Sequence, residues 1–142
     1  MSDFKKIDER VFDFALLIID TYKFLTRKKE FVLSKQLLEA GTSIGANVQE
    51  AQAAQSKKDF MSKMSIASKE ARETCYWLKL IDKSDYLSDF NKKDELFSEI
   101  IAIINIITKI VKTSKENIAN SKLNTQHSKL NTQHVAHDAL NI

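Results

Sequence analysis

Residues 37–52, LLEAGTSIGANVQEAQ, followed by residues 59–81, DFMSKMSIASKEARETCYWLKLI, decide the fold of this chain. In both stretches apolar or small residues recur at alternating spacings of four and three, which is the pattern of an α-helix with one buried face. The predicted core positions of the first helix are Leu33, Leu37, Ala40, Ile44, Asn47 and Ala51. Those of the second are Phe60, Met64, Ala67, Ala71, Thr74, Leu78 and Ile81. The two stretches therefore predict a packed helical hairpin, with Asn47 at a core position.

The link between these two helices is short. Ser56 followed by Asp59 resembles a helix N-terminal cap, so the second helix of the pair should begin at Lys57 and the first should end near Ala54. Gly41 and Gly45 lie four residues apart on one face. Small residues at this spacing favour close approach of a neighbouring helix over ligand binding.

The same spacing occurs on both sides of the hairpin. It predicts a helix from about Ile7 to Lys28 with core positions Ile7, Val11, Phe14, Ile18, Thr21 and Leu25. It predicts another from about Asn91 to Ile118 with core positions Leu96, Ile100, Ile103, Ile107 and Ile110. Four helices joined by short links indicate an all-α, antiparallel up-down-up-down four-helix bundle over residues 1–120.

The last of these helices carries more apolar residues than one bundle face requires. They are Ile101, Ile104, Ile106 and Val111. Because a helix that is apolar over more than one stripe must bury the excess, the sequence predicts self-association through this helix.

A duplicated heptapeptide begins at Ser121: SKLNTQH occupies residues 121–127 and again 128–134. One leucine in seven residues, among helix-poor Asn, Thr and Ser, buries too little apolar surface to offset the entropy of ordering. Residues 121–142 are therefore predicted to be a flexible tail, in preference to a fifth helix.

Composition limits the possible functions. The chain has 142 residues, no proline, two glycines and a formal net charge of +3, so neither a strong nucleic-acid nor a membrane signature follows from charge alone. The single cysteine, Cys75, excludes an intramolecular disulfide, and the first residues lack the apolar run of a secretory signal. The apolar stretch at residues 100–111 is too short to cross a bilayer. We expect one cytoplasmic domain without a membrane segment.

Catalytic constellations are not found in the sequence. The three histidines, His127, His134 and His137, lie in the predicted tail, so the bundle lacks the Glu and His pairs of di-metal carboxylate proteins. Cys75 has no histidine partner in the bundle, and GTSIGAN lacks the lysine and spacing of a phosphate-binding loop. The sequence predicts no catalytic residue, no metal, no cofactor and no enzymatic activity.

Polar residues follow neighbouring faces of the two hairpin helices. They are Ser43, Asn47 and Glu50 on one helix and Lys63, Glu70, Glu73 and Trp77 on the other. A turn near Ser56 places Glu50 opposite Lys63 and Ser43 opposite Glu70. This polar stripe has two interpretations: it fixes the register of the bundle, as a buried Asn does in coiled coils, or it faces a partner chain or ligand.

The two stretches quoted above closely resemble the signature of the bacterial four-helix bundle proteins, also called 23S rRNA intervening sequence proteins or S23-like proteins. The resemblance covers all four helices and is carried by Ser43, Asn47, Glu50, Lys63, Glu70, Arg72, Glu73 and Trp77. It implies a bundle that assembles into a ring of five identical subunits. It leaves the molecular activity poorly defined, although a related group of proteins engages nucleic acid together with a reverse transcriptase.

Two functional hypotheses follow. Seven lysines gather near one end of the predicted bundle and exceed by a modest number the carboxylates there, Asp3, Asp8, Glu9, Asp59 and Glu116. The lysines are Lys5, Lys6, Lys57, Lys58, Lys109, Lys112 and Lys115. A ring would multiply this charge, which favours binding to nucleic acid, either DNA or, as we expect, a structured RNA such as rRNA. The alternative is a protein-interaction scaffold that presents Trp77 or the acidic part of the polar stripe to another protein.

Overall fold

The computed structural model describes the backbone of residues 2–140 and the side chains of residues 7–132. Four helices follow one another: α1 (Ser2–Arg27), α2 (Leu33–Gln52), α3 (Lys57–Lys83) and α4 (Lys93–Leu140). Each helix packs against the next, and α1 also packs against α4. The described part of the chain contains no strand. The all-α four-helix fold is thus confirmed, with a packing order consistent with up-down-up-down topology.

The predicted core positions are largely those that the structure buries. All six positions of α1 are buried, as are those of α3 from Met64 onward. On α2 the prediction for Asn47 was wrong: Val48 is fully buried, and Asn47 is only half-buried. Asn47 lies to one side of the core stripe because that stripe follows Ile44, Val48 and Ala51, so its amide remains within reach of polar groups.

The two glycines of α2 pack against α1. A Cβ atom added to Gly41 would lie 2.7 Å from Cγ1 of Ile18, whereas one added to Gly45 would lie 3.5 Å from the carbonyl oxygen of Val11. The close approach predicted from their spacing is confirmed, and it is tighter at Gly41.

Helix ends are fixed by specific hydrogen bonds. The Ser56 hydroxyl accepts a hydrogen bond from the backbone N–H of Asp59 at 3.0 Å, which confirms the predicted cap and the start of α3 at Lys57. The start of α2 is held by Glu30, whose buried carboxylate accepts backbone N–H groups of Leu33 and Ser34 at 2.9 and 2.7 Å. Sequence patterns did not predict this cap, because Glu30 lies before the helix and not at its N-cap position.

The extra isoleucines of α4 are mostly accommodated within the chain. Ile104, Ile106 and Val111 pack against the core, because α4 has α3 on one flank and α1 on the other. Ile101 alone of the four is largely exposed, at 53%. The surplus apolar surface predicted for α4 is therefore smaller than expected. Larger exposed side chains occur instead on α1, where Phe12 and Leu16 are 64% and 50% exposed.

The structure continues α4 as a helix through the duplicated heptapeptide, where a flexible tail was predicted. We call residues 119–140 the α4 extension. Every side chain from Ala119 to the last one described is exposed, so this segment adds nothing to the core, as its composition predicted. A helix that is already nucleated elongates at low cost, which explains how the backbone stays helical although the described side chains of residues 119–132 are all exposed. Among the described helices, none is long and apolar enough to cross a membrane.

Candidate functional site

The polar stripe between α2 and α3 contains one ion pair that was predicted. Lys63 Nζ lies 2.9 Å from Glu50 Oε2, and both side chains are partly exposed. The hydrogen bond to Glu50 and its charge hold the pKa of Lys63 above the ordinary value. Exposed ion pairs of this kind contribute little to stability, so this pair fixes the relative position of two helix ends more than it strengthens the fold.

The second predicted pair, Ser43 with Glu70, does not form. The Asn47 side-chain amide instead donates to the backbone oxygen and the hydroxyl of Ser43, at 2.9 and 3.1 Å. Both partners lie on α2, one turn apart. This part of the stripe therefore satisfies itself within one helix and does not tie α2 to α3.

Glu70 is the least satisfied member of the stripe. Its pKa is raised, first by burial and then by the neighbouring carboxylate of Glu73. Glu73 accepts a long hydrogen bond of 3.4 Å from the indole nitrogen of Trp77, whose ring contacts Tyr76 edge-on at 5.2 Å between centroids. The α3 side of the stripe thus combines two carboxylates and two aromatic rings.

Arg72 belongs to a different face of the molecule. Its guanidinium donates to the Thr108 hydroxyl of α4 at 3.1 Å. The residues that carry the family signature therefore do not form one site: Arg72 connects α3 to α4, whereas the polar stripe follows α2 and α3.

Five of the seven candidate nucleic-acid lysines have described side chains, and all five are exposed. Lys57 lines an open groove of about 460 Å³ together with Ser114 and Asn117 of α4, which brings the start of α3 beside the later turns of α4. Lys109, Lys112 and Lys115 follow α4 at intervals of three residues, so they are neighbours on the helix surface. We call the surface formed by Lys57, Lys58, Lys109, Lys112 and Lys115 the basic end. The side chains of Lys5 and Lys6, in the first turns of α1, lie outside the described ones.

Three lysines at the opposite end of the bundle are neutralised. Lys92 and Lys93 pair with Asp20 and Asp82 at 2.9 and 2.8 Å, and Lys28 pairs with Asp89. Among residues 7–132, none of the five lysines of the basic end forms such a pair. All five lysines of the basic end are therefore available to a ligand, whereas part of the charge at the opposite end, which also carries the exposed Lys29 and Lys83, is neutralised.

Residues that could support chemistry are scattered. Within the described side chains, no group of three or more His, Cys, Asp or Glu residues could hold a metal ion. Cys75 is a free, half-buried thiol packed against the core.

One surface was missed by the sequence patterns. An open groove of about 650 Å³ between α1 and α2 contains the exposed ring of Phe12, with Asp8, Glu9 and Asp13 around it. A signal existed in the sequence: Phe12 and Leu16 are large apolar residues four apart that fall outside the core positions of α1.

These observations define a class of protein: a four-helix bundle whose distinctive polar groups lie on its outer faces and at one end, with no cleft of converging reactive groups among the described side chains. The chain belongs to the 23S rRNA-intervening sequence protein family, whose sequence model matches residues 5–109. Its structure is similar to the 1.70 Å crystal structure of a protein of unknown function from the S23 ribosomal protein family of Bacteroides thetaiotaomicron, with a TM-score of 0.74. The two sequences are 40% identical over 78% of this chain and 98% of the other. No curated protein matches the chain.

Proposed function

We propose that this protein binds RNA through the basic end and has no catalytic activity of its own. The observation that carries the proposal is that the five lysines of the basic end are all exposed and form no ion pair among the described side chains. At the opposite end Lys28, Lys92 and Lys93 are neutralised by carboxylates, although Lys29 and Lys83 are not. An exposed, unpaired ammonium can neutralise a phosphate and release the counterions condensed on it.

The arrangement of these lysines suits a phosphate backbone. Lys109, Lys112 and Lys115 span about 9 Å along the axis of α4, at about 1.5 Å per residue. Lys57 lies across the groove from this helix. The described carboxylates of this end are Asp8, Glu9, Asp59 and Glu116, one fewer than its described lysines, and Asp59 sits in the first turn of α3. The family, named for intervening sequences of 23S rRNA, agrees with RNA as the ligand and with the cytoplasmic location expected from the sequence.

Salt dependence tests the proposal. We expect binding of a structured rRNA fragment to weaken steeply between about 50 and 200 mM salt, because binding through phosphate contacts loses most of its affinity over this range. The triple variant Lys109→Gln/Lys112→Gln/Lys115→Gln should flatten the slope of log K against log salt by about 2 to 3, the value for three lost phosphate contacts. Fluorescence anisotropy with labelled RNA measures both quantities.

The matched control is Lys69→Gln/Lys79→Gln/Lys83→Gln, which removes the same charge from exposed lysines of α3 away from the basic end. It should leave the slope nearly unchanged. Equal losses in the two triple variants would show that only net charge matters, and binding insensitive to salt would contradict the proposal.

A protein-interaction scaffold is the second candidate. The exposed ring of Tyr76, 58% accessible, stands edge-on against Trp77 beside Glu73 and Glu70, and exposed aromatic rings are enriched at protein interfaces. Partners captured from lysate that persist after nuclease treatment, and disappear with Tyr76→Ser, would favour this candidate over RNA binding.

We also propose that the bundles assemble into a ring of five, as the resemblance to the family implies. The exposed side chain of Ile101 and the ring of Tyr76 supply apolar surface for such contacts. A ring would repeat the basic end five times and raise affinity for a long RNA. Native mass spectrometry should give masses that are multiples of five chains; a particle of one or two chains would contradict the ring.

A further inference from the structure

The α1–α2 groove has the shape of a helix-binding site. Its floor is built from small or buried groups, Val11, Ala15, Gly45 and Ala46, and the exposed ring of Phe12 forms part of its wall. Small residues on the floor allow another backbone to approach closely. Leu16, one turn after Phe12 and half exposed, continues the apolar surface along α1.

The rim of this groove is acidic. Asp8, Glu9 and Asp13 line it, and within the described side chains none of the three forms an ion pair. Other carboxylates of the bundle, such as Glu99 with Arg10 at 2.6 Å, do have partners. A helix that fits here should therefore be basic and carry large apolar residues on one face.

The α4 extension has these properties. Its repeat is seven residues long, close to two helical turns, so Leu123 and Leu130 lie on one face, and Lys122 and Lys129 lie beside them. The two leucines are 53% and 63% exposed, and neither lysine has a described ion-pair partner. We propose that the α4 extension of one copy of this chain docks in the α1–α2 groove of a second copy.

The direction of the helices supports this pairing. Arg10 pairs with Glu99 and Asp20 with Lys92, so α1 and α4 are antiparallel and the extension leaves the bundle at the end where α1 begins. If two bundles meet at these ends, each extension runs along the other's α1 in the same direction as that helix. The extension, about 33 Å long at about 1.5 Å per residue, reaches past the groove.

The positions of the charges agree with that direction. We place side chains at about 100° per residue. Two of the three rim carboxylates, Glu9 and Asp13, then lie on one side of the Phe12 and Leu16 stripe, and Asp8 lies on the other. Both Lys122 and Lys129 lie on the side of the leucine stripe opposite to that of Glu9 and Asp13. Opposite sides face each other only when two helices run parallel, as in the e and g positions of parallel coiled coils. Because α4 is continuous and leads away from its own bundle, the groove that it fills belongs to another copy, and a two-fold axis makes the exchange reciprocal.

A charge swap tests the proposal in the full chain. The extension variant Lys122→Glu/Lys129→Glu and the groove variant Glu9→Lys/Asp13→Lys each place like charges at the contact. Each variant alone should have half the native mass in analytical ultracentrifugation, whether the unit that pairs is one chain or a ring. A mixture of the two should restore the native mass, because each extension then meets a groove of opposite charge.

The control variant is Thr125→Glu/Thr132→Glu, which adds two negative charges to the face of the extension opposite the leucines and should keep the native mass. Circular dichroism verifies that all variants remain folded. An unchanged mass in the groove variant would overturn the proposal, since extensions that pair only with each other do not need the groove. Failure of the mixture to restore the mass would overturn it as well.

Discussion

Gly41 and Gly45 lie one turn apart on α2, but a methyl group has different consequences at each. At Gly41 it would overlap the side chain of Ile18, which is fully buried and would have to shift within the core; at Gly45 it would make an ordinary contact with Val11. We expect Gly41→Ala to lower the free energy of unfolding by about 1 to 3 kcal/mol. Gly45→Ala should raise it by about 0.5 to 1 kcal/mol through better helix propensity. Urea denaturation measures both, and equal signs would contradict the packing described for α1 and α2.

Glu30 should make stability depend on pH. Burial alone would raise the pKa of its carboxyl, but hydrogen bonds from Leu33, Ser34 and Val32 outweigh burial and hold the pKa below the ordinary value. A carboxyl with a depressed pKa stabilises the folded state above the pKa of the unfolded chain, and the contribution disappears as pH falls through the folded pKa. We expect Glu30→Gln to cost about 1 to 2 kcal/mol at neutral pH. The difference from the native chain should vanish in acid, as thermal unfolding across pH 2 to 7 would show; a constant difference would contradict this role.

Glu70 should behave in the opposite way. Since burial and Glu73 raise its pKa, ionisation of Glu70 is less favourable in the folded than in the unfolded chain. Its destabilising effect therefore appears as pH rises from the unfolded pKa through the raised folded pKa, and then persists. Glu70→Gln should be more stable than the native chain at pH 7 and equal to it in acid. Greater stability with unchanged RNA binding and assembly would support the register interpretation of the polar stripe, and loss of either activity would support the functional one.

At the scale of helices, spacing predicted which elements form and which faces they bury, because burial of one stripe follows directly from helical geometry. It did not distinguish Asn47 from Val48, since the two are adjacent at the edge of the stripe and the structure buries only Val48. It also did not show that α3 and α1 cover both flanks of α4, which is a property of the closed bundle. The Glu50–Lys63 pair was predictable because it depends on the hairpin alone.

The α4 extension is part of one helix, but under the docking proposal its order depends on a second copy of the chain. All of its described side chains, those of residues 119–132, are exposed, and isolated helices of this composition are marginal in water. In the Lys122→Glu/Lys129→Glu variant, which removes docking, amides of residues 121–132 should exchange with solvent roughly 100-fold or more faster than those of residues 96–107, whose side chains include buried Ile100 and Ile103. Hydrogen exchange followed by mass spectrometry measures this. Equal protection in the two segments would contradict the separation of the extension from the core.

For the whole molecule, RNA binding and pairing of copies concern the same end of the bundle. When two bundles meet at the ends where their extensions leave, the lysines of the two basic ends approach each other, and like charges repel. Under the two proposals, the lysines that would bind RNA oppose pairing in the absence of RNA. The lysines of the basic end would therefore affect both RNA binding and the pairing of copies. Neither the sequence spacing nor the structure of a single chain shows this connection.

The variant Lys109→Gln/Lys112→Gln/Lys115→Gln should consequently have two effects of opposite sign. RNA affinity should fall, because phosphate contacts are lost, and pairing of copies should become tighter, because repulsion between the ends is reduced. Analytical ultracentrifugation over a concentration series gives the dissociation constant for pairing, and the difference from the native chain should be largest at low salt, where repulsion is least screened. The control Lys69→Gln/Lys79→Gln/Lys83→Gln removes equal charge elsewhere and should leave pairing nearly unchanged. Weaker pairing in the first variant would mean that these lysines hold copies together, and would contradict the end-to-end arrangement.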